Sequence, residues 1–410
     1  MVAAVMGRHT APLLLGLLGS LGSLGLLASS ACTWRASAGT RPPDPPPVAA
    51  SPTPATPQPT APALEPAAEP APKTAVPLAK WTLPTRPAWM DRYADDNVGD
   101  LRFFNISALM HEHGLTRDLA VELQNHYRDL SRAKPSADPT ATFKTALERA
   151  KRGEFEGRRD VDKLAKATFI VVFDLDETLY DQSYDPATAQ KCFDLDVEHN
   201  GKRRKIKLAP GATVALDRVA ALGGAVVIFT AAPDEQSLAN VRAWQFGGKP
   251  LLDHPAIAGV LTNSHLVLQD KREGDGAADP HRGHPVIEPS KDLRIVDETL
   301  LRAILVDDNH LRTFQPRNLR LTKKFDAAAY CNATDPKLKK AFDRTLPDVV
   351  AEIEESLRWA KQAKAPFATA YLPHSHIGRI AVDFLRGAGM SERAAVEYVR
   401  MHPEVVDRDF

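Results

Sequence analysis

Three short apolar runs stand out along the chain, and each breaks abruptly into polar residues. The first, Thr168-Phe169-Ile170-Val171-Val172, leads into Phe173-Asp174-Leu175-Asp176-Glu177-Thr178-Leu179. The second, Ala225-Val226-Val227-Ile228-Phe229, ends in Thr230-Ala231-Ala232-Pro233, and the third, Ala303-Ile304-Leu305-Val306, ends in Asp307-Asp308-Asn309. Apolar, β-branched runs of this length predict strands buried on both faces, as in a parallel sheet. Between the first two, Phe193-Asp194-Leu195-Asp196-Val197 alternates apolar with polar residues, Asn200-Gly201 supplies a turn, and Lys205-Ile206-Lys207-Leu208 resumes the alternation. That pattern predicts a β-hairpin.

Elsewhere the period is helical. Leu115, Leu119, Leu123, Tyr127 and Leu130 share one face, and Asp138-Pro139 opens a further helix containing Phe143, Leu147 and Ala150. These predict a helical collar over 88–165, packed on the domain C-terminal to it. Near the end of the chain, Ile377, Ile380, Ala381, Phe384 and Leu385 form an apolar face ending at Gly387-Ala388-Gly389, and Ser391 is placed to cap a helix through Val399. The pair reads as a helical hairpin over 362–410 that completes or covers the core. From Gly248 to Ser290 the chain is polar, and Asp270-Lys271-Arg272-Glu273-Gly274-Asp275-Gly276 with His281-Arg282-Gly283-His284 reads as a long loop.

Composition adds a second, separate region. About half of the 33 prolines lie between Pro42 and Pro87, in a Pro/Ala/Thr-rich stretch that cannot bury enough apolar area to offset its ordering entropy. Residues 32–87 are therefore expected to be an extended tether. Before it, Arg8 and His9 precede an apolar stretch from Ala11 to Ala28 and the small residues Ser29-Ser30-Ala31-Cys32. This arrangement reads as an export signal over 1–31. It resembles a bacterial lipoprotein signal, which implies that Cys32 is lipidated and anchors the mature protein to a membrane of the cell envelope, periplasmic or surface-facing. Ser29 departs from the aliphatic residue usual at its position, and an ordinary cleaved signal or an uncleaved anchor remain open; all three place the folded part outside the cytoplasm.

The 52 basic and 52 acidic side chains cancel, so no global field recruits nucleic acid, and none is expected as a partner. A charged substrate has to be met by a local site. The run Lys202-Arg203-Arg204-Lys205 has anion-binding character, but at a hairpin tip such a run is usually a solvated face. Cys192 and Cys331 are the remaining cysteines, expected to be unpaired unless the fold brings their Cα atoms within about 7 Å. No zinc spacing is present, and His111-Glu112-His113 and His374-Ser375-His376 are expected to have surface or capping roles.

If the three apolar strands are parallel neighbours, their polar ends converge on the sheet edge where α/β folds bind ligands. Lys291, after Pro289-Ser290, falls between the second and third. A carboxylate attacks a phosphoryl group only when anion repulsion is screened, which calls for a hard cation on oxygen ligands. Asp174 and Asp308 supply such carboxylates, with a backbone carbonyl near Asp176.

These motifs resemble those of the haloacid dehalogenase-like phosphatases, within them the branch of the RNA polymerase C-terminal-domain phosphatases and nuclear-LIM-interactor-like proteins. The resemblance rests on Asp174-Leu175-Asp176-Glu177-Thr178-Leu179, Phe229-Thr230-Ala231, Lys291-Asp292-Leu293 and Asp307-Asp308. It extends to the hairpin, Pro210-Gly211, Lys323-Lys324-Phe325-Asp326 and Leu346-Pro347. It implies an α/β, Rossmann-like domain over 166–361 with a parallel central sheet, a β-hairpin insertion and flanking helices. Asp174 is then the nucleophile, Asp176 the general acid/base, and Thr230 and Lys291 the phosphate holders. Asp174, Asp176 and Asp308 hold Mg²⁺; Asp307 is a supporting partner, and Thr178 is either that or a turn cap. The implied activity is Mg²⁺-dependent phosphomonoester hydrolysis on a protein or small molecule. An exported acid phosphatase for nucleotides and other small esters, and a non-catalytic envelope binding protein on the same fold, are the alternatives. Ala209 stands where the relatives usually have arginine, and no polymerase is present outside the cytoplasm, so a polymerase phosphopeptide is not the expected substrate.

Overall fold

The computed structural model describes residues 104–407, apart from 136, 156–158, 183–190 and 271–286. The segments read as an export signal and a tether, with Cys32, lie outside the described residues, as does most of the polar stretch around Asp275 and His284. Helices α1 (Ile106–His113), α2 (Arg117–Ala133), α3 (Pro139–Lys151) and α4 (Val161–Lys166) come first. Next in the chain are β1 (Ile170–Phe173), β2 (Tyr180–Gln182), β3 (Leu195–His199), β4 (Lys202–Leu208), α5 (Ala212–Ala221), β5 (Ala225–Phe229), α6 (Asp234–Ala243) and the short ribbon β6 (Gln245–Phe246) and β7 (Lys249–Pro250). The rest is β8 (Ile257–Leu261), β9 (Val267–Asp270), β10 (Ile287–Ser290), β11 (Ala303–Asp307), β12 (Leu319–Leu321), α7 (Ala327–Cys331), α8 (Pro336–Ala363), α9 (Phe367–Tyr371), α10 (His376–Gly387) and α11 (Glu392–Met401). Among the described residues, no helix is long and apolar enough to cross a membrane.

A five-stranded parallel sheet, in the order β12-β11-β1-β5-β8, forms the centre of this α/β fold. Strand β1 is in the middle, with Ile170 opposite Ala303 on one side and Ala225 on the other. Side chains alternate along a strand, so the continuous apolar run of β1 feeds two cores. Phe169, Val171 and Phe173 face Leu216, Leu346, Val349 and Phe367 on one side. Ile170 and Val172 face Leu109, Leu123, Tyr127 and Leu164 of the N-terminal helices on the other. Capping fixes where those helices start, with Asn105, Asp138 and Asp160 each accepting a backbone N–H from the first turn.

Distant sequence features meet in the packing. Gly211, at φ +80°, starts α5, and a Cβ there would come within 3.3 Å of the Pro347 ring inside α8. The Pro210-Gly211 and Leu346-Pro347 pairs are thus two sides of one helix–helix contact.

Two expectations are corrected, and the stretch from Gly248 to Ser290 contains strands that its sequence did not announce. Ile257–Leu261 is the fully buried edge strand of the central sheet, and Val267–Asp270 pairs antiparallel with Ile287–Ser290. Its Ala258 and Gly259 give β8 little apolar contrast, which hid it. Cys192 and Cys331 are joined by a disulfide, with Cα atoms 6.1 Å apart. They meet because β2 extends the hairpin into a three-stranded sheet and its Asp181 accepts the Ala327 amide at the start of α7, which ends in Cys331. The C-terminal hairpin has its own small core of Ala381, Val382, Ala395 and Val399, and leaves Ile380 and Phe384 about half exposed, at 46% and 57%. The inward face of α10 runs through Ile377, Ala381 and Leu385, and Gly378 lets its first turn sit on the Leu372 carbonyl, where a Cβ would clash at 1.7 Å.

Candidate active site

Each polar strand end projects from the same edge of the sheet. The Asp174 amide donates to the Val306 carbonyl at 2.9 Å, so the chain leaves β1 still paired with β11. This register brings Asp174 beside Asp307. The next residues form a tight turn, with Glu177 at φ +64° and the Leu179 and Tyr180 amides both donating to the Leu175 carbonyl. The turn separates the two aspartates: Asp174 points toward β11, and Asp176 accepts a 2.8 Å hydrogen bond from the Thr230 hydroxyl at the end of β5. Thr230 in turn accepts the Ala232 amide at 3.0 Å, which fixes its rotamer.

Lys291 comes directly after β10 and is 1% exposed. Its backbone is clamped by Arg312 and Phe314, and its Nζ donates to Asp174 Oδ1 at 2.5 Å and Asp307 Oδ2 at 2.7 Å. Asp307 Oδ1 also accepts the Asn309 amide at 2.8 Å. The Thr178 hydroxyl lies 3.4 Å from Asp308 Oδ1, to which it donates a long hydrogen bond. All seven residues singled out at the strand ends and at Lys291 therefore lie at one site. Cys32 is outside the described residues.

One ammonium faces Asp174, Asp307 and Asp308. Burial pushes the Asp174 carboxyl well above its ordinary range; Lys291 opposes the rise and Asp307 adds to it. Burial pulls the Lys291 ammonium down, but Asp174 and Asp307 outweigh that effect and hold it above its usual value, so it stays charged. Burial, then Asp307 and Glu177, push Asp308 up to about 6. Asp176 is also raised by burial, with Thr230 and Tyr180 hydrogen bonds opposing. The site carries more negative charge than Lys291 neutralises.

Carboxylate oxygens of Asp174, Asp307 and Asp308 lie within 4.8 Å of one another, and hard oxygens with excess negative charge fit a hard divalent cation such as Mg²⁺. Both Asp307 oxygens are already engaged, by Lys291 and by the Asn309 amide, which leaves Asp174 and Asp308 better placed as direct ligands. Asp176 is not in this cluster, since its side chain is turned to Thr230. Only its backbone carbonyl remains for the metal role expected of it.

Two partners were not read from the sequence. Tyr180 hydrogen-bonds Asp176, and its hydroxyl accepts from Asn240 on α6 at 2.7 Å. Burial raises the Tyr180 phenol well above its ordinary value, so it remains protonated. Tyr180 lies two residues beyond Thr178 and reads as an ordinary strand aromatic, and Asn240 is a single polar residue in a helix; neither carries a local signal.

At one edge of the parallel sheet, the central strand releases two aspartates beside a threonine, a lysine and an aspartate pair from neighbouring elements. Residues 169–355 match the family model of the NLI interacting factor-like phosphatases. Among solved structures, the RNA polymerase II CTD phosphatase Fcp1 is similar at 14% identity over 58% of this chain and 74% of that one, with a TM-score of 0.32. An arginine-to-alanine variant of the fission yeast Fcp1 bound to beryllium fluoride is similar at 13% identity over 61% and 70%, with a TM-score of 0.28. No curated protein sequence matches the chain.

The Asp308 shift has a consequence for stability. A carboxyl raised from 3.8 to about 6 on folding binds its proton more tightly in the folded state, so its contribution is complete below pH 4 and is lost as pH rises through about 6. At pH 7.5, without metal, Asp308→Asn should therefore melt about 2–4 °C higher than the wild type, after discounting for solvent screening. At pH 4 the two should melt together, and Mg²⁺ should stabilise only the wild type; calorimetry with and without a chelator checks all three outcomes.

Proposed function

We propose that the chain is a Mg²⁺-dependent phosphomonoester phosphatase that works through an aspartyl-phosphate on Asp174. The observation that carries this reading is the pairing of Lys291 with both Asp174 and Asp307, with Asp308 alongside and Asp176 held apart by Thr230. A site of this kind separates a nucleophile from an acid, although both are aspartates two residues apart. Asp174 and Asp308 would hold the cation, which would supply screening of the repulsion between the Asp174 carboxylate and the incoming phosphate.

In this account Asp174 attacks phosphorus, the bond from phosphorus to the ester oxygen breaks, and Asp176 gives its proton to the leaving oxygen. Burial of Asp176 supports that role, because it shifts the carboxyl toward the protonated form that an acid uses. Lys291 and the Thr230 hydroxyl hold the phosphoryl oxygens as charge develops on them. In the second half Asp176 takes a proton from water, the water oxygen attacks phosphorus, the bond to Asp174 breaks, and inorganic phosphate leaves. Tyr180 and Asn240 orient Asp176 through both halves.

The setting belongs to the proposal too: export by the N-terminal segment, lipidation at Cys32 and a tether that holds the domain away from the membrane. The Cys192–Cys331 disulfide supports it, since such bonds persist in oxidising compartments.

A soluble fragment starting near Ala88 should hydrolyse an aryl phosphate with Mg²⁺, and Asp174→Asn should lower kcat by about 10³-fold or more while leaving circular dichroism unchanged. Equal rates for the two proteins, or none for either across pH, reject the enzyme reading. Metabolic labelling with a lipid precursor should mark the full-length chain and not Cys32→Ala; an unlabelled native chain rejects the anchor.

A further inference from the structure

The four-cation run at the hairpin has a division of labour that its sequence conceals. Side chains alternate along β4, so Arg203, Lys205 and Lys207 point one way and Lys202 and Arg204 the other. Every cation of the first row is paired: Arg203 and Lys205 both reach Asp196 at 2.5 Å, and Lys207 reaches Asp194 at 3.0 Å. The second row lines a cleft of about 500 Å³, together with Arg132 from α2 and Pro233 and Asn263. Arg204 is half-buried in this wall, and its Nη1, closed off from solvent, has no hydrogen-bond partner among the described residues. A guanidinium N–H with no acceptor is a cost to the folded protein, which an anion in the cleft removes once the side chain turns to meet it.

The cleft adjoins the phosphoryl site through a short stretch of chain. Its wall at Pro233 is three residues beyond Thr230, whose hydroxyl holds the Ala232 amide, and the Asn263 amide donates to the Ala232 carbonyl at 3.1 Å. The loop that presents Thr230 to Asp176 is thus also the wall of the basic cleft. Glu235 is the carboxylate lining it; its side chain is 79% exposed and lies 3.9 Å from Nε2 of His199 on the same wall.

We propose that this cleft is a subsite for a second anionic group, a phosphate carried by the same molecule whose phosphomonoester is hydrolysed at Asp174. The inference rests on the phosphatase reading and specifies its substrate class: molecules with two phosphates, one for each end of the Thr230 loop. Arg204 supplies a planar fork that matches phosphate oxygens, and Lys202 adds a mobile charge at the rim. The same chemistry is found in a small bisphosphate and in a doubly phosphorylated peptide.

The test compares kcat/KM for alkanediol bisphosphates and for the monophosphates of the same chain lengths, and for one peptide bearing one or two phosphoserines. The wild type should favour the doubly phosphorylated member of at least one series by about tenfold or more. Arg204→Gln and Lys202→Ala should erase that preference while keeping hydrolysis of p-nitrophenyl phosphate within about twofold of the wild type. Arg203→Gln, on the opposite face of the same strand, should retain the preference. Which series shows the preference identifies the source of the second phosphate. No preference in any series, or equal losses in Arg203→Gln and Arg204→Gln, overturns the subsite. If the wild type hydrolyses no substrate, the phosphatase reading fails separately, and calorimetry with inorganic phosphate on the Mg²⁺-loaded protein decides the subsite. Phosphate binding that is weakened about tenfold in Arg204→Gln supports it, and binding that is equal or absent in both proteins overturns it.

Discussion

Lys291 is an ammonium taken almost completely out of water and held between two carboxylates that arrive on adjacent strands. Desolvating such an ion costs several kcal/mol, and the cost is offset only if its partners are close and fixed. Here they are fixed by the sheet. The pairing of β1 with β11 sets Phe173 opposite Val306, so the next residues, Asp174 and Asp307, emerge side by side on the edge where Lys291 meets them. Register, charge and site geometry are a single constraint. A slip of one residue in β1 would turn Asp174 to the opposite face and leave the lysine buried with one partner.

That constraint accounts for the rest of the local electrostatics. One cation cannot satisfy Asp174, Asp307 and Asp308 together; burial raises the carboxyls of Asp174 and Asp308, Lys291 opposes the rise at Asp174, and Asp307 adds to it at both. The site is destabilised in the form that a hard cation would relieve, which is the usual relation between binding chemistry and stability at functional sites. Asp176 escapes the cluster because the turn through Glu177 sends it to Thr230, giving it a different environment from Asp174 despite the short separation. The Thr230 loop then links this centre to the basic cleft, so positioning of the acid and recognition of a second anion act through the same few residues.

The core strands β1, β5 and β11 and the residues at their ends were legible because each is a buried run that stops at a polar residue, a contrast that survives without tertiary information. Strand β8 was not, since Ala258 and Gly259 blunt its apolar signal, and β12 is too short for any period to show. Lys291 was read from its place between the second and third apolar runs and from the resemblance of Lys291-Asp292-Leu293, but its complete burial and double ion pair depend on strand order. The disulfide, the Tyr180–Asn240 support of Asp176 and the split of the Lys202–Lys205 run all depend on which elements become neighbours. Local pattern carries no trace of that. The exposed Ile380 and Phe384 show the same limit, because a helical stripe fixes a periodicity but not which flank of it is covered.

In the proposed reaction Asp174, and not Asp176, takes the phosphoryl group. Rapid acid quench during turnover of an aryl phosphate, borohydride reduction and peptide mass mapping read this directly, because reduction converts an aspartyl-phosphate to homoserine. Homoserine is expected at position 174 alone. Conversion at 176, or unmodified aspartate at both positions in a protein that is turning over and quenched in its steady state, would contradict it.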